Sequence, residues 1–102
     1  MLELRPTCEH CNKALPPAST EARICSFECT FCASCADDVL GNVCPNCGGG
    51  FVPRPIRPAT NWKGDNWLGK YPASSTVKHR PADLGAHTRL CATIGTLPPD
   101  QR

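Results

Sequence analysis

The chain has 102 residues and a formal net charge of +2, and nine of its residues are cysteine. Such a length holds one small domain and a tail, and such cysteine density leaves two ordinary classes, a disulfide scaffold or a set of thiolate metal sites. Met1-Leu2-Glu3-Leu4-Arg5-Pro6 lacks the basic run and apolar stretch of a secretory signal, and no segment approaches a membrane span, so a cytoplasmic setting is expected, where thiols stay reduced and metal is favoured over disulfide.

The cysteines lay out the first half. Cys8-x2-Cys11 is followed by thirteen residues, then Cys25-x3-Cys29-x2-Cys32-x2-Cys35, then eight residues, then Cys44-x2-Cys47. Two intervening residues form a tight knuckle whose two sulfurs reach one ion. A structural zinc takes four such ligands at about 2.3 Å, so eight cysteines make two closed sites. Two pairings are open. Cys8, Cys11, Cys25 and Cys29 share one ion and Cys32, Cys35, Cys44 and Cys47 the other, or the sets interleave. Local geometry leans towards interleaving, because Cys32-x2-Cys35 is itself a knuckle.

Between the ligands, Arg23 to Phe27 predicts a short strand, with Cys29 to Cys32 turning back as its partner. Ser34 to Leu40 predicts a short helix, with an S-x-x-D start at Ser34 and Asp37 and a stop at Gly41. Leu15, Ile24, Phe27, Phe31, Val39, Leu40 and Val43 are the expected core. So few apolar residues come out near zero net stability, whereas each structural zinc contributes roughly 10–16 kcal/mol in small peptides.

Residues 1–52 therefore read as a double-zinc domain and 53–102 as a proline-rich basic tail, largely disordered. Seven of the eleven prolines follow residue 50 and interrupt the helical windows there. Thr88 to Leu97 reads as residual strand or coil. Trp62, Trp67, Leu68 and Tyr71 form a cluster suited to docking on the domain or a partner. His10 reads as an exposed knuckle residue, His79 and His87 as solvated, and Cys91 as an idle thiol.

Charge is uneven. Residues 1–50 carry three Lys/Arg against six Asp/Glu, and residues 51–102 carry eight against three. Eight thiolates with two Zn²⁺ would take the first half to about −7. An anionic half of that size is poorly suited to phosphates, so any nucleic-acid contact falls to the tail.

The order C-x2-C, C-x3-C, C-x2-C, C-x2-C, closed by Cys44-Pro45-Asn46-Cys47, resembles a RING finger of the all-cysteine kind over about residues 8–47. The resemblance implies an interleaved cross-brace, with Cys8, Cys11, Cys32 and Cys35 on the first zinc and Cys25, Cys29, Cys44 and Cys47 on the second. The run from Ser19 to Cys32 also resembles a family of short bacterial proteins known only as a domain of unknown function, which implies zinc binding but no activity. Ubiquitin-ligase RINGs usually have an aliphatic residue where this chain has His10, and often a basic one where it has Gly48.

The expected fold is a small zinc-stabilised α+β domain, RING-like, with a short hairpin, one short helix and an extended or disordered tail. The expected function is a monomeric zinc-binding interaction module with a protein partner, structural metal sites and no catalytic residues. Ligase-like activity and nucleic-acid binding are the alternatives.

Overall fold

Three short strands form the sheet of the computed structural model, which describes residues 1–102. Strand β1 (Ala22–Ile24) pairs antiparallel with β2 (Thr30–Cys32), placing Ala22 opposite Cys32 and Ile24 opposite Thr30. This is the expected hairpin, shorter than predicted at its first strand. Its turn is closed by the Glu28 N–H donating to the Cys25 carbonyl at 3.0 Å, with Glu28 in the left-handed region (φ +66°). Strand β3 (Val52–Pro53) pairs with the other side of β1, giving the order β2-β1-β3. Pro53, which has no N–H to donate, is tolerated because β3 is an edge.

The predicted helix after β2 is a single wide π-turn, Cys35–Val39. Ser34 is itself helical and its side chain caps nothing, so the S-x-x-D start is not used. The stop holds: Gly41 and Asn42 are left-handed (φ +61° and +60°), and the Asn42 N–H donates to the Ala36 carbonyl at 2.8 Å.

Phe31 is fully buried and stands edge-on to Phe51, with ring centroids 5.3 Å apart. Leu15, Leu40, Val43, Ala36 and the cysteines surround the same interior. Two expected core residues face solvent instead: Phe27 is 71% exposed and Val39 40%. Phe27 lies in the β1–β2 turn, where no layer covers it. Leu4, which precedes the first ligand, is buried in their place.

From Arg54 to Ala82 the tail has no helix or strand, folds through turns between residues 63 and 71, and returns to the domain. Arg54 is buried, donating from Nη1 to the Arg5 carbonyl and from Nη2 to those of Leu15 and Pro16. Arg57 reaches the carbonyls of Leu2 and Tyr71. Further on, the Ser74 N–H donates to the Leu4 carbonyl and the Arg80 N–H to that of Glu9, so this stretch runs alongside the N-terminus. In the aromatic cluster Trp62 points to solvent, while Trp67 and Tyr71 are half-buried.

Helix α1 (Leu84–Ile94) corrects the expectation of strand or coil after residue 88. No proline falls between Pro81 and Pro98, and the Asp83 carboxylate caps the Ala86 N–H at 3.1 Å. A helix of this length is marginal alone, and tertiary contacts decide its formation. Here the decisive one is His87, expected to be solvated but buried, with Nε2 2.8 Å from the Leu40 carbonyl oxygen. His87→Ala should release α1 while sparing residues 1–57. Amide exchange in α1 is expected to speed up by about tenfold, the loss of one good hydrogen bond, with knuckle amides unchanged.

Candidate metal centre

The hairpin and the two outer knuckles bring the cysteines together in an interleaved order. The sulfurs of Cys8, Cys11, Cys32 and Cys35 all lie within 4.8 Å of one another, as do those of Cys25, Cys44 and Cys47. Cys29 is buried, and its charge is felt at Cys44, but its sulfur falls outside that mutual 4.8 Å. Cys91 belongs to neither set; its thiol lies 3.7 Å from the Leu40 carbonyl.

The first set fits a tetrahedral ion. Four sulfurs at about 2.3 Å from a common zinc stand about 3.8 Å apart, and Cys11 Sγ lies 3.8 Å from Cys32 Sγ. The outer knuckles share one backbone design. Asn12 N–H donates to the Cys8 carbonyl at 2.9 Å and Gly48 N–H to the Cys44 carbonyl at 2.8 Å, and both Asn12 and Gly48 are left-handed. Amide N–H groups also point at sulfur: Phe27 to Cys25 and Gly49 to Cys47, both at 3.4 Å.

Without a cation these thiols resist ionisation. Burial pushes Cys35 and Cys44 far above the ordinary thiol range, and neighbouring sulfurs add to it. Burial also raises Cys8, against the pull of backbone N–H groups from Cys11, Cys32 and His10. Cys11 is the exception: burial raises it, but the Lys13 N–H and the neighbouring thiols outweigh that and lower it. A bound divalent cation reverses this balance, because a coordinating thiol gives up its proton outright.

One residue that sequence reasoning passed over ties the arrangement together. Glu9, between Cys8 and Cys11, is 1% exposed. Its Oε2 accepts from Arg5 Nη1 at 3.2 Å and the Thr30 N–H at 3.1 Å. Its Oε1 accepts from Asn46 Nδ2 at 3.3 Å and Arg80 Nη2 at 2.8 Å. One carboxylate thus joins the first knuckle, β2, the last knuckle and the tail. His10, expected to be exposed, also holds the tail: its Nδ1 accepts from the Ala82 N–H at 3.0 Å, and His79 meets its carbonyl at 3.2 Å.

A family model described as "Protein of unknown function (DUF1272)" matches residues 1–57. The chain belongs to the DUF1272 family. The matched segment spans the seven clustered cysteines, Cys29, Glu9, Arg54 and Arg57. An uncharacterized protein of Rhizobium meliloti (strain 1021) is 56% identical to this DUF1272 chain over 81 residues, 79% of this chain and 89% of that protein. An alignment of that length reaches past the family segment into the tail. No solved structure matches. No helix of the chain is long and apolar enough to cross a membrane.

Proposed function

We propose that the chain is a cytoplasmic zinc-binding module for protein interaction, with structural sites in a RING-like cross-brace. Cys8, Cys11, Cys32 and Cys35 would hold one zinc and Cys25, Cys29, Cys44 and Cys47 the other. The observation that carries this reading is the convergence of four thiols, with no other donor type, at the spacing of a tetrahedral ion. Soft thiolate sets select zinc or iron–sulfur chemistry, and zinc suits a closed site that only shapes the fold. Bound there, it supplies cross-linking of the knuckles.

The interaction part rests on what such a scaffold leaves outside. Phe27, Val39 and Val52 are exposed. Ser26, Phe51, Val52 and Pro99 line an open groove of about 390 Å³. The reading assigns no catalytic residue. Against ligase-like activity stand His10 and Gly48, each engaged by the chain's own tail, His10 by Ala82 and Gly48 by Arg102, whose guanidinium donates to its carbonyl at 3.1 Å. Against nucleic-acid binding stand Arg54, Arg57, Arg80 and Arg102, tail cations already bonded to the domain. The test is capture with the zinc-loaded full chain as bait. A specific protein partner absent from the zinc-stripped control is expected, and identical recovery from both baits would sink the proposal.

A further inference from the structure

The two cysteine sets are not equivalent, and the difference has a local cause. In both outer knuckles the second cysteine stands three residues after the first, and the left-handed residue follows it: Asn12 after Cys11, Gly48 after Cys47. In the Cys25 loop, position three is Glu28. It takes the left-handed conformation itself (φ +66°) and closes the turn onto the Cys25 carbonyl. The one-residue insertion therefore puts a glutamate where a knuckle's second thiolate would sit. Cys29 is pushed one residue on, to the position just before β2, where its carbonyl is committed to the Cys25 N–H at 3.2 Å.

Glu28 is also fixed. Its carboxylate accepts from the Glu3 N–H at 3.2 Å, and its carbonyl accepts from the Thr30 hydroxyl at 3.0 Å. The loop is therefore held against sliding Cys29 back into register. The outcome is four sulfurs mutually within 4.8 Å in one set and three in the other, with Cys29 outside that mutual distance though its charge still acts on Cys44.

We infer that Cys29 is a displaceable ligand and that the second site is the one that exchanges its metal. This rests on the zinc reading above. Three thiolates hold an ion and leave a coordination position that an external ligand can share. The external ligand the chemistry fits is another thiolate, from a low-molecular-weight thiol or a cysteine of an acceptor protein. In the exchange Cys29 gives up its bond to the metal as the incoming thiolate forms one. The proton lost by the incoming thiol passes to the Cys29 sulfur, and no electron is transferred. Cys47, the exposed member of this set, gives that ligand its approach from solvent.

The test is transfer of zinc from the loaded full chain to a colorimetric chelator, with and without added glutathione, read as equivalents released against time. Two phases of one equivalent each are expected, at least about tenfold apart, the effect typical of perturbing ligand support. Glutathione should speed only the fast one. Cys29→Ser should still bind two metals but accelerate the fast phase, whereas Cys44→Ser should bind only one. A cobalt-loaded Cys29→Ser chain should keep the thiolate-to-metal absorption of both sites, reduced by one ligand. Release of both equivalents in a single phase would overturn the inference, as would loss of the second metal in Cys29→Ser as complete as in Cys44→Ser. A wild-type chain that takes up no metal would instead sink the zinc reading itself.

Discussion

Cys35→Ser should leave the chain with one bound metal and no cooperatively folded first half. Cys35 is buried within the four-sulfur set and is also the first residue of the π-turn that leads out of β2. The substitution removes a ligand and leaves a hydroxyl in the interior. A structural zinc contributes roughly 10–16 kcal/mol in small peptides, which matches or exceeds the roughly 5–15 kcal/mol of a whole domain's stability. No other feature of the chain offsets a loss of that size. Collapse of amide dispersion across residues 8–52, with a metal content of one or less, is the expected result. Cys91→Ser is the control. Its thiol makes only a 3.7 Å contact with the Leu40 carbonyl, so metal content and dispersion should match the parent. A Cys35→Ser chain that kept two metals would refute the assignment.

The second large effect belongs to Glu9. Truncation to alanine removes a buried carboxylate that accepts four hydrogen bonds, leaves the Thr30 N–H and the Asn46 amide without their partner, and leaves the Arg5 guanidinium with Glu3 alone. Breaking a buried charged pair by removing one member costs about 3–5 kcal/mol. Glu9→Ala should lower stability by about that much, measured as the shift in denaturant midpoint of the zinc-loaded protein. Glu9→Gln keeps one acceptor oxygen and should fall in between. Arg80→Ala probes the outer edge of the same cluster. The Arg80 side chain is 62% exposed, and exposed pairs contribute only about 0.2–1 kcal/mol. A Glu9→Ala cost no larger than that of Arg80→Ala would show that Glu9 is solvated and joins nothing.

The readable parts of this sequence were those with a covalent period. Ligand spacing is a local property, so the knuckles, the hairpin between them and the stop at Gly41 could be read residue by residue. What spacing does not carry is which side of a short turn meets the core. Phe27 and Val39 are as apolar as Phe31 and Leu40, yet the layers of so small a domain cover only the latter pair. Glu9 and Arg54 were opaque for a related reason. Charged residues are rarely buried unless paired; Arg5 lies only four residues from Glu9, but Arg80, and the Arg5 carbonyl that Arg54 meets, are distant in sequence.

The tail shows the same limit from the other side. Its prolines accompany a stretch without helix or strand up to Ala82, in which residues 63–71 nevertheless turn. The helix beyond depends on one long-range contact, His87 to Leu40, which no helical window contains. Cys29 falls between these cases. Its extra residue is visible in the spacing, but the consequence emerges only once Glu28 is seen to occupy the turn position of a second ligand.

The most direct test of the account is a count of zinc per chain by native mass spectrometry on the full protein purified under reducing conditions, paired with an amide spectrum before and after chelation. Two zinc ions per chain, and loss of dispersion for residues 8–52 when they are removed, are predicted. A chain that keeps its dispersed spectrum with no metal bound would contradict the claim that the two cysteine sets hold this fold together through zinc.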